Sequence, residues 1–425
     1  MKERKNRQPF FKTIFDLRFS ILDIVNHRIS NIEYLIIFVF ILLLPTQLGK
    51  HFFFSLSYLS GVRIDYLAPT IYLTDIIAFL ILFLNVKILW NLLKNKFFLI
   101  FIFLISLNIL FSQVKPIAFY QTLKIIEILG LFFVFKEKIL SLKMILFAFA
   151  LGASFEVILS IMQFASKHSI QGIFYFFGER YFTLSLPDIA KTSLFGVEIL
   201  RPYGTFSHPN SMGGFYLLIY FFVLTGNKFT NVYLKSLILF LSSILIFLSF
   251  SKIAIITYLF LNIIYLIKNK LRLNCSLCFF SRILVLIILA LFFISAKGDI
   301  LSFDKRVTLF QNALTIIWQN PLFGVGMGDY LFAQHQIAIK YPYFFLQPVH
   351  NIILLFLSEA GIILFGFVFY NLYKIYKDYK SYSFYYCFAA VLVTGMFDHY
   401  WLTLQQNLLL FPVIFGLLYR HKSTA

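Results

Sequence analysis

Along the chain, long apolar runs alternate with short polar punctuation. The runs fall at 33–45, 71–90, 97–112, 117–135, 144–164, 205–225, 236–250, 252–267, 283–296, 350–373, 384–397 and 404–419. A membrane-spanning helix needs roughly 20 mostly apolar residues, so the shorter runs must extend into the adjoining loops. The pattern predicts an all-α, polytopic membrane bundle of about twelve transmembrane helices, a single integral membrane domain over residues 1–425. Two polar segments between runs are long, 165–203 and 297–349. Their Gly, Pro, aromatic and mixed-charge content is not that of a linker, and loops of this length are functional when ordered. No internal repeat of the kind that marks an inverted-repeat transporter is visible.

Composition removes whole classes of function. Of 425 residues, 60% are hydrophobic and 13% charged, against about 25% charged in a soluble domain. A soluble enzyme, a nucleic-acid-binding domain and a disordered chain are excluded. The net charge of +19 therefore reports basic cytoplasmic loops and anionic lipid. With the N-terminus inside, Lys and Arg number 24 in the inner segments and 12 in the longer outer ones, with Lys124 inside a run. Both termini are expected in the cytoplasm. The basic start, Met1 to Arg7, lacks a small-residue cleavage site before 33–45 and reads as an uncleaved anchor.

Little of the usual soluble chemistry is present. Cys275 and Cys278 form a C-x-x-C in an inner loop without a second pair or nearby His, so neither a metal nor a redox role is assigned. Gly324, Gly326 and Gly328 follow no strand and read as a turn where the chain re-enters the membrane surface, not as a nucleotide loop. The histidines are asymmetric. His51, His168, His208, His335, His350 and His399 fall outside or at the outer edge, and only His27 and His421 inside. Function is expected on the outer face.

Three clusters stand there. Arg201-Pro-Tyr-Gly-Thr-Phe-Ser-His-Pro-Asn210 breaks regular structure where the chain enters the bilayer, and its free backbone N–H groups beside Arg201 suit an anion. Arg306 falls in the first turn of an amphipathic helix, with Leu309, Phe310, Ala313, Ile316 and Ile317 on one face. Lys305, Thr308, Gln311, Asn312, Thr315 and Gln319 lie opposite. His350-Asn351 follows Gln347-Pro348 at the mouth of the next run, where a neutral imidazole accepts a proton and Asn351 caps or orients it. Glu359 lies about 13 Å deeper along that helix. Lys124 and Glu127, at i and i+3, read as a structural pair. Two arginines and a histidine at one face suit a polyprenyl diphosphate. The guanidiniums hold the diphosphate, and the imidazole deprotonates an incoming hydroxyl. No acidic pair with metal spacing accompanies them, so the arginines stand in for a divalent cation.

In order and spacing, the 201–210 segment, Arg306 with Pro321-Leu-Phe-Gly-Val-Gly-Met-Gly328, and His350-Asn351 followed by Glu359-Ala-Gly361 resemble the O-antigen ligase and polymerase superfamily. The resemblance implies a GT-C-like integral membrane glycosyltransferase of the inner membrane, acting in polysaccharide or lipopolysaccharide biosynthesis. Such an enzyme moves a glycan from undecaprenyl pyrophosphate to an acceptor hydroxyl at the outer face, without a cofactor or metal. Carried over by position, Arg201 and Arg306 bind the donor diphosphate, His350 is catalytic, and His208, Asn210 and Asn351 support them. One departure stands out: many members carry Ser-Arg where this chain has Ser251-Lys252, and no role is carried onto Lys252. Partners implied are the lipid-linked donor, a glycan or lipid-linked acceptor, and membrane lipid, with no nucleic acid. Ligation and polymerisation share these motifs. A transporter of lipid-linked sugar, which binds with the same arginines but does not react, is the alternative from another class.

Overall fold

The structure, a computed structural model, describes residues 31–186, 189–194, 196–226, 231–268, 301–337, 346–379 and 381–420, with four single positions between 284 and 291. Every apolar run is occupied by helix except 283–296, most of which lies outside the described residues. His27, His421, Cys275 and Cys278 lie outside them too.

Helix α1 (Asn31–Leu43) leads into a lobe of two small antiparallel ribbons, in which β1 (Gly49–His51) pairs with β4 (Thr70–Tyr72) and β2 (Tyr58–Leu59) with β3 (Val62–Arg63). Then α2 (Leu73–Leu84) and α3 (Val86–Leu93) meet at a 77° bend. At the bend, the Asn85 side chain donates to the Ile81 carbonyl at 2.8 Å and to Glu33 Oε1 at 2.6 Å, as a buried amide must. There follow α4 (Lys96–Phe111), α5 (Lys115–Glu137), with Pro116 in its first turn where no N–H is missed, and α6 (Leu142–Ser166). A hairpin of β5 (Lys191–Leu194) and β6 (Val197–Leu200) precedes α7 (Pro209–Thr225), α8 (Val232–Leu248) and α9 (Lys252–Lys268). After these come α10 (Leu301–Gln319), α11 (Tyr330–His335), α12 (Ile352–Asp378), α13 (Tyr382–Gly395), the short α14 (Tyr400–Thr403) and α15 (Gln405–Arg420).

By length and composition α5, α6 and α12 are each able to cross a membrane, and the bent α2–α3 pair is a fourth candidate. The remaining apolar helices among the described residues are shorter; the long apolar ones make the protein a helical membrane protein. Helix α7 sits at the centre, buried on nearly every side and packed by α8, α9, α13 and α15. A helix that is apolar all round is what such a position requires. Helices α5 and α15 pack closely at Gly416, where a Cβ would lie 2.7 Å from Phe135 Cβ and 2.9 Å from the Phe132 carbonyl.

The glycine triplet does more than turn at a surface. Helix α12 breaks at Gly361 (φ 65°), and the segment after α10 docks into the break. The N–H groups of Val325 and Gly326 donate to the carbonyls of Ser358 and Glu359 at 3.0 and 3.1 Å, and Ile362 N–H donates to the Pro321 carbonyl at 2.9 Å. A Cβ on Gly324 would lie 2.4 Å from the Glu359 carbonyl, and one on Gly361 2.4 Å from that of Leu322. Only glycine permits this approach, and both residues hold positive φ. Asn108 on α4 completes the seal, donating to the Phe323 and Glu359 carbonyls at 2.8 Å each and accepting from Met327 N–H at 3.0 Å. Irregular backbone inside a bilayer is tolerated only when buried in protein this way.

One local expectation is extended and another corrected. Lys124 does pair with Glu127, at 3.8 Å, but its close partner is Asp75 on α2, and Gln405 Oε1 accepts from it at 3.3 Å. On α10, Leu309, Ala313 and Ile316 pack inward as expected, but Phe310 is exposed and Asn312 is buried. One apolar face was expected, and the helix carries two. The reason is that α11 and α12, packed against one side of the helix, decide which residues turn in, and periodicity alone does not.

Candidate active site

Where the first turn of α7, the start of α12 and the α13–α14 break meet, a network forms around one carboxylate. Asp398 is 4% exposed. Its Oδ1 lies 3.2 Å from His350 Nδ1 and accepts the His399 backbone N–H at 2.8 Å, while Oδ2 accepts from Asn210 Nδ2 at 2.8 Å. Burial alone would raise its pKa. The hydrogen bond from His350, the strongest opposing influence, outweighs this, and the pKa is held well below the usual carboxylate range. An ionised Asp398 fixes the proton of His350 on Nδ1, so Nε2 carries the lone pair. The side chain of Asn351 caps α12, its Oδ1 accepting from the N–H groups of Ile353 and Leu354 at 2.9 and 3.0 Å, and its Nδ2 donates to the Met396 carbonyl at 3.1 Å. That cap sets where His350 stands.

The 201–210 segment is tied to the same carboxylate. Arg201 Nη2 donates to Asn210 Oδ1 at 2.5 Å and to the Ser249 carbonyl at 2.8 Å, and its Nε reaches that carbonyl at 3.0 Å. Ser249 sits in the α8–α9 break, beside Ser251-Lys252. Only Nη1 is left without a hydrogen bond among the described residues. Burial pulls the Arg201 pKa down to about 10, which still leaves it charged at neutral pH. His208 caps α7, its Nδ1 accepting from Asn210 N–H at 3.1 Å. Burial, then the charge of Arg201, lowers its pKa to about 3, so it is neutral. His399 is also neutral, held to about 3 by burial. Its Nδ1 bonds Thr403 Oγ1 at 2.7 Å, and its ring lies 5.1 Å from that of His350 and 5.6 Å from that of Tyr66.

Arg306 enters from α10. It makes no hydrogen bond or ion pair among the described residues, yet its charge is close enough to lower the pKa of both Arg201 and His399. The three groups singled out in the sequence, Arg201, Arg306 and His350, are therefore brought to one place. His51, His168 and His335 are not part of it: His335 bonds Ser60 Oγ at 3.0 Å, and His168 bonds the Ser169 carbonyl at 2.6 Å. Two residues of the region were missed. Asp398 sits next to His399 in a polar break between two apolar runs, and that pairing was the available signal. Arg180, exposed, donates to the Ser207 carbonyl at 3.2 Å and lies over the Tyr203 ring.

A cavity of about 2080 Å³ opens here. Tyr66, Arg180, Ser207 and His208 line one end, and Lys305 and Pro348, next to Arg306 and His350, also contribute. It passes Lys124 and Gln405 and continues between α4, α5, α12 and α15 along an apolar wall to Lys268 and Tyr419. As for metal, ligand atoms of His350, Asp398 and His399 all lie within 4.8 Å of one another, close enough to share an ion.

Fold and site together define a multi-pass helical membrane protein with a His–Asp pair and two arginines, next to a largely apolar cavity lined by their neighbours His208, Lys305 and Pro348. Residues 237–369 match the O-antigen ligase family, and this match supports the resemblance to the O-antigen ligase and polymerase superfamily. Members of that family are glycan-transferring enzymes. The matched stretch holds Arg306 and His350. Arg201, His208 and Asn210 precede it, and Asp398 follows it. No curated protein matches the chain.

Proposed function

We propose that the protein moves a glycan from undecaprenyl pyrophosphate to an acceptor hydroxyl at the outer face of the cytoplasmic membrane, as an O-antigen ligase-like transferase. In this reading the chain is one domain of about twelve spans with both termini in the cytoplasm, and 165–203 and 297–349 lie outside. His350 Nε2 takes the proton of the acceptor hydroxyl as its oxygen attacks the anomeric carbon. The bond from that carbon to the diphosphate oxygen breaks, and undecaprenyl pyrophosphate leaves with the electron pair. Arg306 and Arg201 offset the charge that develops on the diphosphate, the task a divalent cation performs elsewhere. Arg306 offers its whole planar fork and Arg201 the Nη1 edge, while His208, Asn210 and Asn351 hold the frame. The lipid tail lies in the apolar cavity.

The observation that carries the reading is the 3.2 Å contact of His350 Nδ1 with the buried Asp398. It supports a base of fixed tautomer, with the other ring nitrogen available to substrate. A second reading, carriage of a lipid-linked sugar without reaction, draws on the cavity reaching as far as Lys268 and Tyr419. Purified His350→Ala separates them. A transferase loses about 10²–10⁴ in rate with donor binding near normal. Equal losses of binding and turnover, or transport that persists, remove the base.

A further inference from the structure

Helix α10 has three faces, not two. Leu309, Ala313 and Ile316 pack into the protein against the start of α12. Phe303, Val307, Phe310, Leu314 and Trp318 succeed one another at intervals of four, three, four and four residues, which places them on one stripe. All five are exposed, from 39% for Val307 to 87% for Trp318. Shifted by one residue, Asp304, Thr308, Gln311, Thr315 and Gln319 form a parallel polar stripe. A helix in water has no use for the middle stripe, and a helix buried in lipid has none for the last. The three together suit a helix lying at a bilayer surface, with protein on one side, acyl chains on the second and water on the third.

The C-terminal end of the helix is tied to α12 well below the outer mouth of that helix. Immediately beyond its C-terminus the Pro321 carbonyl accepts from Ile362 N–H. Ile362 is ten residues past the start of α12, about 15 Å along the helix. At this contact α12 exposes Ile362 and Ile363, so the apolar stripe of α10 continues onto an exposed apolar surface of α12. Trp318 ends the stripe at its most exposed point. Arg306 stands between the inward face and the apolar stripe.

We propose that α10 is seated in the leaflet on the site side through Phe303, Val307, Phe310, Leu314 and Trp318, and that the bilayer thereby holds Arg306 at the level of a lipid-borne diphosphate. The occupant of the stripe is phospholipid, not a second copy or another protein. Embedding is independent of the chemistry proposed above. The consequence for Arg306 rests on that chemistry.

The chain has three tryptophans, Trp90, Trp318 and Trp401, which makes Trp318 a direct probe. In a Trp90→Phe/Trp401→Phe protein reconstituted in phosphatidylcholine vesicles, lipid brominated along its acyl chains should quench most of the Trp318 emission, and aqueous iodide little. Because Trp401 is buried and its replacement risks the fold, the same difference is read in the otherwise unaltered protein. There Trp318→Phe should abolish the major bromolipid-quenchable fraction. Iodide quenching without bromolipid quenching overturns the proposal, as does protection from both quenchers by self-association or a partner. For the second half, Leu314→Glu should weaken donor binding about tenfold, the lower end for a charge-assisted contact, while Gln311→Glu on the water-facing stripe leaves it unchanged. Normal binding in Leu314→Glu beside confirmed embedding would overturn only the link to Arg306.

Discussion

Arg201 and Arg306 face one site but are held in opposite ways. Arg201 spends three hydrogen bonds on the Ser249 carbonyl and Asn210, and through Asn210 it is joined to Asp398 and His350. Arg306 has no protein hydrogen bond among the described residues and rides on a helix whose exposed stripe faces away from the core. A guanidinium with filled donors positions the groups around it, whereas one with open donors is available to a ligand. The contrast divides the site into a rigid half, built by α7, the α8–α9 break and the α13–α14 break, and a half carried by α10.

The largest expected effect lies in the rigid half, at Asp398. Asp398→Asn keeps shape but removes the charge that fixes the His350 tautomer. Transfer should fall by about 10²–10⁴, with donor binding changed far less and the optimum of the pH–rate profile displaced. An unaltered rate and profile would reduce Asp398 to a structural residue.

The next test breaks the comparison directly. Arg306→Ala should weaken donor binding by about ten- to a hundredfold, the 1.5–3 kcal/mol of a charged hydrogen bond, at an unchanged melting temperature. Arg306→Lys should recover part of it. Arg201→Ala should instead lower the melting temperature, because it strands a carbonyl and the Asn210 side chain, each worth about 1–3 kcal/mol when left unpaired. If both arginines lower binding alone, the division into frame and ligand group is wrong.

These assignments also show what sequence carried. The apolar runs became helices wherever the chain is described outside 283–296, because burial in lipid imposes composition on each segment separately. Arg201, Arg306 and His350 were visible because each stands beside a local break. Asp398 was not, since its partner is 48 residues away and the one local signal, its place beside His399 in a polar break, does not show that it orients a base. Asp75 was hidden for the same reason: spacing exposes Lys124 with Glu127, but only the fold brings α2 against α5. On α10 the pattern gave a helix and not its faces, because two apolar stripes on one helix merge into a single broad signal.

A smaller effect separates the halves by pH. His208 and His399 hold folded pKa values of about 3, below the unfolded value of about 6.5. Between those limits the unfolded chain binds more protons, so stability must fall as pH falls from about 6.5 toward 3. The limiting slope is about 1.4 kcal/mol per pH unit for each histidine. Asp398, depressed from its ordinary value near 3.8, adds its own loss only below that pH. The melting temperature in detergent should therefore drop between pH 7 and pH 5, and His399→Gln should flatten that drop. A melt that is level across this range would mean that the two rings are solvated and the frame is looser than its geometry.

The smallest expected effect is that of a chelator, and it tests whether the arginines suffice. His350, Asp398 and His399 could gather around an ion, but one ring nitrogen of each histidine and both oxygens of Asp398 already have partners. His350 Nδ1 faces Asp398, Asp398 also receives Asn210, and His399 Nδ1 is bonded to Thr403. A cation at this cluster would either displace the 3.2 Å His350–Asp398 contact or take the Nε2 lone pair that serves as the base. If Arg306 and the Nη1 edge of Arg201 carry the diphosphate charge, transfer by wild-type protein should proceed at the same rate in EDTA as without it. In Arg306→Ala, the residual rate should be equally indifferent to added magnesium. A rate lost in EDTA and restored by magnesium or manganese alone would reassign the charge of the leaving diphosphate from the guanidiniums to an ion, and the His–Asp–His cluster would become its first candidate site.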